Sequence, residues 1–142
     1  MKHAQQNFAA LAGRILVAAI FLMSGFNKMG AFDATAGMMT SVGLPMANLL
    51  LVATIAIELV AGALLVLGWN TRAAALVLFL FMIPVTAVFH NPWAATDAAA
   101  AQQQMIHFLK NLAIMGGLLN LLAFGAGGYS LGKSRSAAAG WA

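Results

Sequence analysis

The sequence has no cysteine and few charged residues, and these two absences exclude several classes of protein. A chain without cysteine has no disulfide framework, no thiolate metal site and no redox chemistry on its own thiols. Seven Lys or Arg and three Asp or Glu make up 7% of the 142 residues, against about 25% in ordinary soluble domains. Because 63% of the residues are hydrophobic, the chain is too apolar for a soluble globular surface or for intrinsic disorder.

Four long apolar segments dominate the sequence, and each is close to the roughly 20 residues that cross a bilayer as a helix. They cover residues 8–27, 47–67, 73–89 and 106–124. Transmembrane β-strands would need shorter alternating segments, which the sequence lacks. The sequence therefore predicts an all-α membrane protein, a single domain over residues 1–142 built as a four-transmembrane-helix bundle. The Gly- and Ser-rich stretch 125–142 is predicted to be a flexible tail.

The connections between these segments carry their own helix signals. Between the first two segments, Asp33 can cap a short interfacial helix whose apolar side consists of Phe32, Ala36 and Met39. Before the fourth segment, Thr96 or Asp97 can cap a helix that continues into that segment. The sequence thus predicts a fourth membrane helix that projects beyond the hydrocarbon core.

The basic residues are scattered singly, so they form no stripe of the kind that binds nucleic acid. They instead indicate topology, because cytoplasmic loops of membrane proteins carry an excess of Lys and Arg. An arrangement with both termini in the cytoplasm places five basic residues and no acid on that side: Lys2, Arg14, Arg72, Lys133 and Arg135. We therefore predict that both termini are cytoplasmic.

Ionisable residues inside the apolar segments are the candidates for function, because a charge within the bilayer is costly. Glu58 lies near the midplane of the second segment. On the fourth segment, His107, Lys110 and Asn111 share one helical face by their i, i+3, i+4 spacing. With the predicted topology, most of the remaining polar groups lie in the outer half of the bundle. These are Asn27 and Lys28 at the end of the first segment and His90 at the end of the third, whereas Arg14 lies near the inner surface.

A glutamate at the midplane should be protonated or paired, and Lys110 is the partner that the sequence suggests. One interpretation is a structural ion pair that fixes helix packing. The other is an outward-opening polar pocket that binds a small ligand or moves protons. The surrounding histidines and asparagines favour the pocket.

Among ligands for such a pocket, a quinone or quinol head group fits the polar set best. Its two oxygens need a hydrogen-bonding group at each end, and its proton exchange suits a histidine, which titrates near neutral pH. Two histidines and a glutamate could instead bind a metal, but Lys110 would repel the cation, so no metal site is predicted. Haem held by His90 and His107 is a further alternative, although both histidines lie at shallow depth.

At these positions the sequence resembles the DoxX family of small bacterial membrane proteins. The resemblance covers nearly the whole chain, and its strength lies in the order and spacing of several short motifs. They are GRIL at 13–16, SGFNK at 24–28, GLP at 43–45, ELVAG at 58–62, LGWNTRAA at 67–74, HNPW at 90–93, QMIHFLKNLA at 104–113 and GGLL at 116–119.

The resemblance implies a multi-pass protein of the bacterial inner membrane. It further implies links to thiosulfate:quinone oxidoreduction, to quinone or catechol stress and to membrane oxidoreductase complexes. The sequence shows no electron carrier, so the chain is at most a quinone-interacting subunit that needs a partner protein or a bound cofactor to complete a redox reaction, and quinone is the cofactor suggested. The alternatives are a non-catalytic anchor or assembly subunit and a small-molecule carrier, and the partners expected are the lipid bilayer with a larger complex or a homo-oligomer.

Two groups of site residues follow from these hypotheses. The predicted catalytic groups are Glu58, Lys110, His90 and His107. The predicted ligand-binding groups are Asn27, Lys28, Asn111 and Arg14.

Overall fold

The computed structural model describes residues 1–132, and this part of the chain is helical without any β-strand. The elements are α1 (Lys2–Gly30), α2 (Phe32–Ser41), α3 (Ala47–Leu67), α4 (Thr71–Phe89), a 3₁₀ turn (Pro92–Ala94) and α5 (Ala98–Phe124). In the described residues, four helices are long and apolar enough to cross a membrane: α1, α3, α4 with the turn that follows it, and α5. The predicted four-helix membrane bundle is therefore confirmed.

Two of the helices are several residues longer than the apolar segments predicted for them, because polar residues continue these helices outside the hydrocarbon. The first segment was predicted over 8–27, whereas α1 begins at Lys2 and ends at Gly30. The fourth was predicted over 106–124, and α5 begins at Ala98, where the Asp97 side chain accepts a hydrogen bond from the Ala100 backbone N–H at 2.8 Å. Asp97 thus caps α5 and satisfies one of its free N–H groups.

The core consists mainly of alanine and leucine side chains, with one phenylalanine and one methionine. Its buried residues come from all four long helices: Ala18, Phe21, Ala61, Leu65, Ala74, Ala75, Leu78, Met82, Leu118 and Leu121. Alanine at many of these positions allows backbones to pack near one another, as is typical of membrane helices. The apolar residues on the outside, such as Leu16 and Phe26, then face the lipid.

The short helix α2 is present as predicted, but its cap is different. It packs on α3 through Ala36 and Met39, which form a second buried cluster with Leu51. Asp33 lies in the first turn, and Ala31 occupies the capping position without a side-chain hydrogen bond. The apolar side of α2 is therefore covered by α3, which fixes α2 across one end of the bundle.

The C-terminal segment, defined as residues 125–132, is bound to the opposite end of the bundle. The Leu131 and Gly132 N–H groups donate to the carbonyls of Leu67 and Gly68 at 3.0 and 3.1 Å. The Gly128 N–H donates to the Asn7 side chain at 2.9 Å. Backbone groups of residues 125–132 thus find partners on α1 and at the end of α3, while the flexibility predicted for 125–142 stays a prediction. Residues 133–142, with the topological markers Lys133 and Arg135, lie outside the described residues.

Candidate functional site

A cavity of about 530 Å³ occupies the α2 end of the bundle, a size in the range of ligand pockets. Every helix contributes to its wall. The apolar lining is Ile20, Phe21, Met38, Met39, Phe81, Met82, Val85, Phe89 and Ile114. The polar lining is Ser24, Lys28, Thr35, Thr54, Glu58, His90, Gln103, Gln104, His107 and Asn111.

An ion pair between Lys28 and Glu58 forms one polar cluster of this cavity. The Lys28 Nζ donates to both carboxylate oxygens of Glu58, at 3.0 and 3.1 Å, and also to the Ser24 Oγ. The Ser24 hydroxyl in turn donates to Glu58 Oε1 at 3.0 Å. The Glu58 side chain is 5% exposed and that of Lys28 is 25% exposed. The carboxylate is thus held by two donors, and the ammonium reaches toward the open side.

Close packing of α1 on α3 explains why these residues meet. Cβ atoms added at Gly25 and Gly62 would lie only 2.7 Å and 2.9 Å from the side chains of Leu59 and Leu22, respectively. The two helices therefore cross where glycine removes side-chain bulk. Ser24 and Lys28, one turn apart on α1, face Glu58 at this crossing.

The predicted partner of Glu58 was wrong. Lys110 is exposed on α5, and the cation that binds Glu58 is Lys28. The reason lies in the packing order, because α1 lies directly against α3 at the level of Glu58. The sequence placed both lysines in the outer half and gave no means of ranking them.

The second polar cluster lies on α4 and α5. The imidazole rings of His90 and His107 stack with centroids 5.0 Å apart and planes at 29°. His90 Nδ1 lies 3.3 Å from the Gln104 side-chain oxygen. One turn deeper, the Asn111 amide donates to the Thr86 hydroxyl at 3.0 Å. His90, His107 and Asn111 therefore line the same cavity as Glu58 and Lys28, as the depth argument predicts.

Arg14 and Asn27 do not lie with this set. Among the described residues that line the cavity, neither is present, nor is Lys110. Asn27 is exposed on the outer side of α1. Arg14 is 1% exposed, and its guanidinium donates to the backbone carbonyls of Val66 at 3.3 Å, of Tyr129 at 2.8 Å, and of Ala126. Arg14 thus binds the C-terminal segment at the other end of the bundle.

Several lining residues were not identified from the sequence, and neither was Thr86, which bonds to the lining residue Asn111 without itself lining the cavity. Thr86 and Gln104 each bond to a predicted site residue, and Thr35 and Met38 come from α2. Hydroxyl and amide side chains are common in membrane helices, so their type alone gives no signal. For α2, its amphipathic pattern predicted an interfacial helix but not its place over a cavity.

The arrangement can hold a ligand with an apolar body and polar atoms at two places. One cluster offers a cation and a carboxylate, and the other offers two imidazoles and two amides. Each imidazole has two ring nitrogens that can hold or accept a proton, so the second cluster offers sites for hydrogen bonding and proton transfer. Over residues 1–132, no three His, Asp or Glu side chains come together as a set that could hold a metal ion.

Comparisons with known proteins agree with the resemblance found in the sequence. The DoxX family model matches residues 9–91. The chain is 42% identical to inner membrane protein YphA of Escherichia coli over 124 residues, covering 87% of both chains. It is 29% identical to inner membrane protein YqjF of the same organism, covering 90% of this chain and 92% of that protein.

A more distant similarity extends to an animal protein. The Surfeit locus protein 4 homolog of Drosophila melanogaster is 26% identical over 132 residues, which is 92% of this chain and 42% of that protein. No solved structure matches the chain. The named relatives thus locate the chain in a membrane without stating a ligand.

Proposed function

The chain belongs to the DoxX family and is a multi-pass protein of the inner membrane, and from this premise we propose that it is a quinone-binding subunit of a membrane redox complex. The observation that carries the proposal is that two separate polar clusters line one cavity of about 530 Å³ whose remaining lining is mostly apolar. A quinone head group has the same pattern, a flat apolar ring with oxygens at opposite positions.

The residues of the cavity fit this group by their chemistry. Lys28 donates to Ser24 and to both oxygens of Glu58, so it can donate to one ring oxygen by exchanging its hydrogen bond to the Ser24 hydroxyl, while Glu58 keeps the ammonium in place. His107 supplies a second donor and a site for a proton, and its ring is positioned by stacking on His90. Phe and Met side chains offer an apolar surface for the ring.

A quinone supplies two-electron, two-proton redox chemistry when bound. The chain contributes binding, orientation and proton exchange at the histidine nitrogens, and it carries no cysteine with which to supply electrons. The proposal therefore includes a partner protein as the electron donor or acceptor.

The test is binding of decylubiquinone to the purified protein in lipid nanodiscs, with Lys28→Met and Lys110→Met as a matched pair. Both variants remove one lysine from the half of the bundle that contains the cavity, but only Lys28 lines the cavity. We expect roughly micromolar binding by the parent chain, at least tenfold weaker binding by Lys28→Met, and a change below twofold for Lys110→Met. A tenfold loss corresponds to about 1.4 kcal/mol, in the range of one hydrogen bond from a charged donor.

Absence of quinone binding by the parent chain, or equal effects of the two lysine variants, would contradict the proposal. Melting temperatures of both variants are measured in parallel, so that loss of binding is separated from loss of fold.

A second candidate function, a non-catalytic assembly subunit, is favoured by one observation. Ser24, Lys28 and Glu58 satisfy one another's hydrogen bonds, so the cluster can hold α1 to α3 without any ligand. In that case, Lys28→Met lowers the melting temperature and the yield of a co-purified partner, while the parent chain binds no quinone.

A further inference from the structure

The exposed part of the cavity lining lies on one side of the bundle. Among the described residues, the lining side chains that are exposed belong to α1, α2 and α5: Ile20 at 41%, Met38 at 52%, and Gln103. The lining residues of α3 and α4 are buried or half-buried, with Glu58 and Met82 at 4% and 5%. The cavity therefore opens between α1 and α5, beneath α2.

This opening reaches hydrocarbon depth. Ile20 lies two helical turns before Lys28, which places it about 12 Å deeper along α1 at 1.5 Å per residue. Its neighbours on the outside of α1, Leu16 and Met23, are 73% and 64% exposed and apolar. Side chains of this kind at this depth face lipid tails, so the deep end of the opening faces the bilayer.

Close contact of α1 with α5 ends the opening on its deep side. A Cβ added at Gly117 of α5 would lie 3.2 Å from the Val17 side chain. Val17 is just one turn from Ile20. One turn from this contact toward α2, the residues at the corresponding positions are Ile20 on α1 and Ile114 on α5, and both line the cavity. The two helices thus diverge from this contact toward α2.

We infer that the cavity is entered sideways from the lipid between α1 and α5, and that its ligand is an amphiphile whose single apolar chain leaves past Ile20. This inference rests on the proposed quinone site and specifies the class of ligand it takes. The polar head lies among the two clusters, while the chain stays in the bilayer. A water-soluble head group without a chain would bind without using the deep part of the opening.

The test compares the association rates of decylubiquinone and of the same dimethoxy-methyl-benzoquinone head group without its chain, in nanodiscs. The variants are Ile20→Trp, which narrows the opening, and Leu16→Trp, which adds the same bulk one turn away on the lipid side of α1. For Ile20→Trp we expect association of decylubiquinone to slow at least tenfold and that of the chainless quinone to slow less than twofold. Leu16→Trp should alter neither rate by more than twofold.

Two results would overturn the lateral entrance: no slowing of decylubiquinone by Ile20→Trp, or equal slowing of both quinones. Ile20→Ala, which widens the opening with little risk to the fold, gives an independent check, since decylubiquinone should then associate at least as fast as with the parent chain. Slower association with this variant also counts against the entrance. If the parent chain binds neither quinone, the proposed function itself fails, and this result is distinct from the others.

Discussion

Arg14 and Lys28 are basic residues of the same helix, about 21 Å apart along its axis at 1.5 Å per residue, and the structure uses them differently. Arg14 is enclosed by backbone carbonyls of α3 and the C-terminal segment. Lys28 is bound to Glu58 at the wall of a cavity and remains partly exposed. A buried charge therefore does not by itself identify a functional site. The open space beside Lys28 distinguishes it from Arg14.

The close packing around Arg14 requires a glycine at position 68 and an arginine at position 14. Gly68 ends α3 in a left-handed conformation at φ 68°, and a Cβ there would lie 2.9 Å from the Arg14 Cζ. Glycine is thus needed both for the backbone turn and for the approach of the guanidinium. The planar fork of arginine then donates to carbonyls in several directions, which lysine does not match.

Arg14→Met should give the largest effect, because it removes the donor that joins α1 to α3 and to the C-terminal segment. Three carbonyls lose their donor, and an unsatisfied buried acceptor costs about 1–3 kcal/mol, so we expect destabilisation on the order of 3 kcal/mol. The melting temperature should fall by roughly 10 °C, and amide hydrogen exchange should rise in residues 125–132.

Arg72→Met is the matched control for Arg14→Met. Arg72 is exposed and donates to a single carbonyl, that of Ala123 at 3.1 Å, so its loss should cost under about 1 kcal/mol. Decylubiquinone binding should stay unchanged in both variants. Similar destabilisation by the two substitutions would show that the burial of Arg14 and its additional hydrogen bonds do not determine its contribution to stability.

Glu58→Gln should give an intermediate loss of stability, and it tests the ion pair at the wall of the cavity. Removing the carboxylate leaves the Lys28 ammonium without its counter-charge, which costs about 3–5 kcal/mol when a pair is fully buried. Because Lys28 is a quarter exposed, water compensates part of this, and we expect about 1–3 kcal/mol. Thermal unfolding of the variant and of the parent chain in detergent measures this loss of stability.

The double variant Lys28→Met with Glu58→Gln separates stability from function. The double variant leaves no unpaired charge. Its melting temperature should therefore be higher than that of Glu58→Gln alone and closer to that of the parent chain. Decylubiquinone binding should nevertheless remain at least tenfold weaker than that of the parent chain, as for Lys28→Met alone, since both charged groups of the cluster are gone. Recovery of binding together with stability would assign the pair a structural role only.

Thr86→Val should give the smallest effect, and it tests how much the polar cluster of α4 and α5 contributes to binding compared with Lys28. It removes the hydroxyl that accepts from Asn111 at 3.0 Å and keeps the side-chain shape, so we expect a loss of about 1 kcal/mol. The freed amide still lines the cavity, and quinone affinity should change less than threefold. If Thr86→Val weakens quinone binding more than Lys28→Met does, the main binding group lies on α4 and α5 and not on α1.

Much of the fold could be predicted because it depends on local patterns. The four spans follow from segment length and apolarity, and α2 follows from the spacing of Phe32, Ala36 and Met39. Asp97 was one of two predicted caps, and the structure selects it. The prediction that both termini are cytoplasmic rests on the distribution of Lys and Arg and stays a prediction.

The candidate site was predicted only as a set of residues at one depth. Glu58, Lys28, His90, His107 and Asn111 line one cavity, as their depth suggests. Depth did not distinguish these residues from Lys110 and Asn27, which lie at a similar level but face outward. The C-terminal segment was predicted only to be flexible, because glycine and serine give no sign of a tertiary partner such as Arg14.

The sequence by itself determined that the chain is a membrane bundle, where its spans lie and which polar residues share a helical face. These properties depend on residues near one another along the chain, so hydrophobicity and the 3.6-residue period suffice to predict them. The tertiary structure alone decided that Glu58 pairs with Lys28, that Arg14 binds the C-terminal segment, and that a cavity opens between α1 and α5. Those contacts depend on helix order and rotation, which close packing at Gly25, Gly62 and Gly68 sets.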